Sequence, residues 1–365
     1  MAGYGSLQEV ARKAGVSPAT VSRVVNGRRG VGEATRQRVQ SVIDQLGYAP
    51  DRRLGQFFRT MHGGSQTVVF VLAEKVYGEM ATAEAFYSRM HLAVQAELSR
   101  RERHMLLVNA ATDRTPDGSL NCLAQGICDG VIGEIKDRRM VERLAQQAPM
   151  VLMNVDFALP HVDVVIPNVE RAAQQQIAFL AGLGHRKVAC FRPCNVADSA
   201  PTWQDKRYWS AYRDTCSEYS LQLPPEYLQP ILCDVHEDEA AIAQFLQRLF
   251  ARPEIAPTAI LTYDFYAGTL LRQLNDRGLR VPQDVSIVGY DDYSFNSHCP
   301  LALTTFRQDF EAMAKHAVRL FLERLDEPDR PAARVEIEGQ FIERDSTAAP
   351  ARPVDDSRVL KPVSQ

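Results

Sequence analysis

The stretch SLQEVARKAGVSPATVSRVVNG, Ser6–Gly27, decides the N-terminal fold. Ser6-Leu7-Gln8-Glu9 has the S-x-x-E form of a capping box, in which a hydroxyl and a carboxylate each satisfy a free backbone N–H. Leu7, Val10, Ala11 and Ala14 then recur on one helical face, so a first helix is predicted. Gly15 supplies the left-handed turn that ends it. Ser17 caps a second helix, with Pro18 at the first helical position, where no N–H is needed. Asn26-Gly27 stops that helix. A third is predicted from Glu33 to Leu46, with Val39, Val42, Ile43 and Leu46 closing over Val10, Val21 and Val24. Helix, short glycine turn, helix is the helix-turn-helix pattern, and Pro18 to Val25 is its recognition element.

Working outward, charge separates this head from the rest of the chain. Residues 1–60 carry ten Lys/Arg against four acids, a net of +6, and the remaining 32 bases and 41 acids give −9. A basic head on an acidic body is the footprint of a polyanion-binding module joined to something that avoids polyanions. With 365 residues, 45% hydrophobic and 24% charged, the chain is long enough for a small module plus a large two-lobed domain. No apolar run approaches the ~20 residues of a membrane span. The polar start MAGYGSLQEV lacks the apolar stretch of a secretory signal, so a cytoplasmic protein without membrane contact is expected. The seven cysteines form no disulfide framework or zinc spacing. Cys190 and Cys194 in CFRPC read as small buried hydrophobes. No metal or other cofactor is expected.

From Thr67 onward short apolar runs (TVVFVLA, HMLLVNA, GVIG, MVLMNV, KVACF, AILT, VSIVG, LTTF) alternate with helical stretches, the pattern of βαβ units and parallel sheets. Two such sheets would offer a ligand cleft at the carboxyl ends of their strands. No glycine-rich phosphate loop, metal-spaced histidine set or nucleophile elbow appears, so no catalytic residue is assigned. Asp291 and Asp292 are adjacent and point apart, which argues against a hydrolytic pair.

The run VARKAGVSPATVSRVVNGRRGVGEATRQRV, continuing to LGYAP, closely resembles the DNA-binding segment of the lac-repressor (LacI/GalR) family. That resemblance implies that Pro18, Ala19 and Arg23 face base edges, while Ser17, Thr20, Ser22 and Asn26 contact phosphates or brace the turn. Chemistry agrees, since Arg pairs bidentately with guanine and hydroxyls at a helix N-terminus suit phosphate oxygens. The family places a hinge helix next, with a leucine that wedges into the minor groove. Phe57 matches that position, with Phe58 beside it. Phenylalanine is an accepted wedge, although both rings would equally suit packing on the large domain.

The large domain resembles the family in Asp129–Ile132, Leu183–Arg186, Pro257–Ile260, Arg277–Ser286, Gly289–Asp292 and Leu303–Gln308. The implied fold is an all-α helix-turn-helix head plus hinge, then an α/β two-lobed effector domain like the type I periplasmic binding proteins, with three crossovers. The expected divisions are 1–49 for the head, 50–65 for the hinge and linker, and 66–347 for the effector domain. Within it the N-lobe takes about 66–167 and 296–328, the C-lobe about 168–295 and 329–347, and 348–365 is a tail. Effector contacts carried over are Phe86 and Tyr87, Asn154, Arg207 and Asp264. Tyr208 is the alternative to Arg207, because the spacing to Ala211-Tyr212 is one residue long. The resemblance implies a homodimer on a pseudo-palindromic operator, with a sugar or sugar derivative between two lobes controlling affinity. The rival reading is a solute-binding protein, which would need an export signal and no basic head.

Overall fold

The computed structural model describes residues 7–17, 20, 21, 24, 31–46, 65–72, 80–109, 112, 113, 115, 119–195, 202–229, 231–233, 238–293 and 301–351. In the head, α1 (Leu7–Ala14) and α2 (Glu33–Leu46) appear where the periodicity places them. Gly15 has φ +64°, and the Val16 amide donates back to the Ala11 carbonyl at 3.0 Å, closing α1 as a Schellman turn. Val10, Ala11, Ala14, Val21, Val24, Val39 and Val42 form a buried core, with Val16, Val31, Ile43 and Leu46 packed on it.

Two compact units follow from the chain's contacts. The first takes residues 1–80, 90–165 and 314–335; the second takes 81–89, 166–313 and 336–365. The first holds a sheet in the order β12-β5-β4-β3-β1-β2, from β1 (Thr67–Leu72), β2 (His104–Asn109), β3 (Gly130–Gly133), β4 (Met150–Met153), β5 (Val162–Pro167) and β12 (Arg334–Ile337). The second holds β13-β11-β10-β9-β6, from β6 (Val188–Phe191), β9 (Ala259–Thr262), β10 (Ser286–Tyr290), β11 (Thr304–Arg307) and β13 (Gln340–Ile342), and a separate parallel pair, β7 (Cys194–Asn195) with β8 (Leu232–Cys233). Pairs β1/β2, β1/β3, β3/β4, β4/β5, β6/β9, β9/β10 and β10/β11 are parallel, and β13 pairs antiparallel to β11. A parallel sheet is covered on both faces, which is why β3, β4, β6 and β9 are wholly buried and read as unbroken apolar runs.

The helices that matter for the site are α3 (Met80–Arg100), α4 (Asn121–Ala124), α5 (Arg138–Ala145), α6 (Val169–Gly182), α7 (Trp203–Glu218), α8 (Asp238–Phe250), α9 (Asp264–Asp276) and α10 (Phe310–Asp326). Side chains start several of them. Asn168 accepts from the Arg171 amide at 3.0 Å ahead of α6, and Thr202 with Asp205 forms a capping box on α7.

The lobe boundaries differ from the expected ones. Residues 296–328 do not all belong with the first lobe, because β11 pairs with β10 in the second sheet and the division falls at 313/314. Residues 329–335 group with the first unit instead of the second, since β12 completes the first sheet. Strand β5 was not among the runs singled out in the sequence, because Asp163 interrupts its apolar pattern. Among the described residues no helix is long and apolar enough to cross a membrane.

Candidate functional site

In the head, Ser17 caps the turn that leads into Thr20 and Val21. Ser17 Oγ accepts from the Thr20 amide at 3.1 Å, its carbonyl accepts from the Thr20 and Val21 amides, and the two hydroxyls lie 2.9 Å apart. Ser17 is exposed and Thr20 half-buried, so both hydroxyls sit at the helix N-terminus, where free N–H groups favour phosphate oxygens. Pro18, Ala19, Ser22, Arg23, Asn26, Phe57 and the hinge lie outside the described residues, as does the tail beyond 351.

In the second unit, the carboxyl ends of three parallel strands bring together Arg192 after β6, Tyr263 after β9, and Tyr290 and Asp291 at the end of β10. Helix α7 adds Tyr208 and Asp205. The Arg192 guanidinium carbon lies 3.8 Å from the Tyr208 ring centre, 3.9 Å from Tyr263 and 4.9 Å from Tyr290. Its Nη2 donates to the Tyr263 hydroxyl at 2.5 Å. Tyr208 is pinned in turn: its hydroxyl donates to Gln176 Oε1, whose amide donates to the Gly289 carbonyl at 2.7 Å. Rings held this way fix a cation at the strand ends, where open α/β sheets bind ligands. Arg192 Nε and Nη1, Thr262 Oγ1, Tyr290 Oη and Gln308 Oε1 are buried without a hydrogen-bond partner.

The carried-over effector residues fall in different places. Asp264 is fully buried at the first turn of α9, and its oxygens accept from the Thr305 hydroxyl at 2.8 Å and the Tyr293 amide at 3.0 Å. It braces α9 against β11 and the end of β10 in place of offering a free acceptor. Arg207 is half-buried and committed to Glu170 and, at 3.0 Å, Glu336, whereas its neighbour Tyr208 is the one turned toward the strand ends. Tyr87 is half-buried on α3; the Phe86 side chain is not among those described. Asn154 belongs to the first unit, after β4, in a left-handed conformation (φ +60°) that suits asparagine. Its amide donates to Glu134 at 3.3 Å. Glu134 follows β3, is 1% exposed, and has its pKa raised by burial against the pull of Lys136 at 3.4 Å.

Sequence reading missed Arg192 and Glu134. Arg192 lies inside CFRPC, a motif dominated by its two cysteines; its sequence signal is a lone arginine directly after an apolar strand. Cys190, like Cys122, Cys128 and Cys216, is a buried thiol outside any disulfide. Asp291 and Asp292 do face apart. Asp291 accepts from Gln308 at 2.6 Å, while Asp292 pairs with Arg307 at 2.7 Å and Arg344 at 2.8 Å.

Asp291 carries a testable pH dependence. Burial pushes its carboxyl up to about 6, against the opposing hydrogen bond from Gln308 and the charge of Arg192. A folded-state pKa above the unfolded one means the native chain binds the proton more tightly. Stability therefore falls as pH rises from about 4 to about 6, by about 2–3 kcal/mol. Asp291→Asn is expected to remove this slope and to melt above the wild type at pH 7. Parallel Tm-against-pH curves for the two chains would exclude Asp291 as the titrating group.

Residues 6–51 match the model described as bacterial regulatory proteins, lacI family, and residues 177–347 match the periplasmic binding protein-like domain. The chain belongs to the LacI family. As a LacI-family protein it is a DNA-binding transcriptional regulator, and its relatives are regulators in place of enzymes. It is 27% identical to the HTH-type transcriptional repressor PurR of Vibrio atlanticus, covering 93% of this chain and 97% of the relative. To the PurR of Aliivibrio salmonicida it is 26% identical, covering 93% and 98%. Among solved structures it is similar to a transcriptional regulator CelR–cellobiose complex, with TM-score 0.64, 25% identity, and 94% and 99% of the two chains covered. The lac repressor dimer bound to operator and the anti-inducer ONPF shares the LacI fold, with TM-score 0.63, 22% identity, and 95% and 100% covered.

Proposed function

We propose that this LacI-family protein is a homodimeric repressor whose affinity for a pseudo-palindromic operator is set by a sugar or sugar derivative held at the strand ends of the second unit. The observation that carries the effector reading is the cluster of buried, unpaired polar groups beside the faces of Tyr208, Tyr263 and Tyr290, in a domain joined to a helix-turn-helix head. Unpaired donors and acceptors at the strand ends suit the hydroxyls of a sugar. The CelR neighbour in complex with cellobiose supports the same class. A purine, whose ring nitrogens can meet the same unpaired groups, is the second reading, supported by the PurR relatives. In either case the effector acts by binding one of two states more tightly, and operator affinity shifts by that difference.

For DNA, Ser17, Thr20, Ser22 and Asn26 are assigned to phosphates or turn bracing, Pro18, Ala19 and Arg23 to base edges, and Phe57 to the minor groove. Arg23→Ala is expected to cost about 1–3 kcal/mol and to relax preference at one operator position. Fluorescence anisotropy against a randomised operator pool measures both. Full-length chain that binds no DNA with a steep salt dependence would instead support a solute-binding protein.

A further inference from the structure

Arg192 is 2% exposed, yet its Nε and Nη1 have no partner, and among the described residues no carboxylate lies within ion-pair distance of it. A guanidinium is charged at every physiological pH. A buried charge without a counter-charge is costly, and the carboxylates nearby are engaged elsewhere. Asp205 accepts from the Thr202 amide at 3.1 Å and hydroxyl at 2.6 Å; it reaches the cluster only through the Tyr263 hydroxyl at 3.5 Å. Glu170 pairs with Arg207 through Oε1 while its Oε2 is buried without a partner, Asp264 accepts from Thr305 and Asp291 from Gln308. The rings of Tyr208 and Tyr263 fix the guanidinium plane, so its free N–H groups keep one direction. Tyr290 Oη and Thr262 Oγ1, both unpaired hydroxyls, lie at the ends of the neighbouring strands as further donors.

We propose that Arg192 anchors an oxyanion on the effector, a carboxylate or a phosphate, so that the molecule this chain senses is negatively charged. The inference rests on the reading that the second unit holds the effector. A charge-assisted hydrogen bond to an oxyanion supplies the direct ion pair that Arg192 lacks in the folded chain. A neutral sugar or nucleoside supplies none.

The test uses full-length wild type, R192K and R192Q with matched probes: glucose, glucose 6-phosphate and gluconate, and adenosine with adenosine 5′-monophosphate. Thermal shift reads binding, and anisotropy with operator reads the response. Only charged members of a set are expected to raise Tm and alter operator affinity. R192Q should bind them about 10- to 100-fold more weakly, with R192K in between. Which charged member acts separates phosphate from carboxylate. Ligand-free R192Q should melt at or above the wild type, since an uncompensated buried charge has gone. If neutral members act, and act equally on R192Q, the charge assignment falls while the effector site stands. If no probe acts on any of the three chains, both readings fall. Ligand-free R192Q melting well below the wild type would make Arg192 a core brace and overturn the proposal as well.

Discussion

Replacing Asp163 by alanine is expected to lower the unfolding free energy by about 3–5 kcal/mol, the usual cost of stranding one side of a buried ion pair. Asp163 is fully buried in β5, and Arg324 beside it is 2% exposed. Its Oδ1 accepts from Arg324 Nη2 at 2.8 Å, Arg330 Nη1 at 3.0 Å and the Ala333 amide at 2.8 Å. Its Oδ2 accepts from Arg324 Nε at 3.2 Å and Arg330 Nη2 at 2.6 Å. One carboxylate thus holds two guanidiniums and the backbone that leads into β12, pinning the last segment of the first unit to its sheet. Alanine leaves two cations facing an apolar strand. Urea unfolding of both chains measures the loss, and a difference under 1 kcal/mol would show that the arginines find other acceptors.

Asp264→Ala is expected to cost about 2–4 kcal/mol, because the Thr305 hydroxyl and the Tyr293 amide would both be left buried without an acceptor. The same variant removes a carboxylate from the first turn of α9, where the helix dipole favours it. Gly289→Ala attacks this contact from the other side. A Cβ there would stand 1.8 Å from Asp264 Oδ1 and 2.7 Å from Leu303 Cδ2, so a loss of similar size is expected. Effector response should weaken in both, through displacement of Tyr263 next to Asp264. If Asp264→Ala unfolds like the wild type and yet loses all ligand binding, Asp264 touches the ligand directly and its bracing role is wrong.

The family resemblance assigns Asp264 to effector contact, and the folded chain adds a bracing role for its carboxylate. The position was legible from the LTYDFYA run; what its carboxylate touches was not, because Thr305 and Tyr293 lie far along the chain. Arg207 shows the same limit. A one-residue ambiguity in spacing rotates a helical side chain by about 100°, and it decides whether Arg207 or Tyr208 turns to the strand ends. Only packing settled that α7 turns Tyr208 inward and leaves Arg207 to Glu170 and Glu336.

The helix-turn-helix head and the alternation of strands and helices were determined by the sequence alone. Their signals are local: Ser17 caps the amide three residues on, Gly15 turns the chain where α1 stops, and apolar periodicity needs no distant partner. The tertiary structure alone decided that Asp163 is the centre of a buried ion cluster within a strand, and that Arg192 stands among three tyrosines with free donors. A charge inside an apolar run is unfavourable until its partners arrive. Those partners come from residues that share no stretch of sequence with it, so the energy that places such a group exists only in the folded chain.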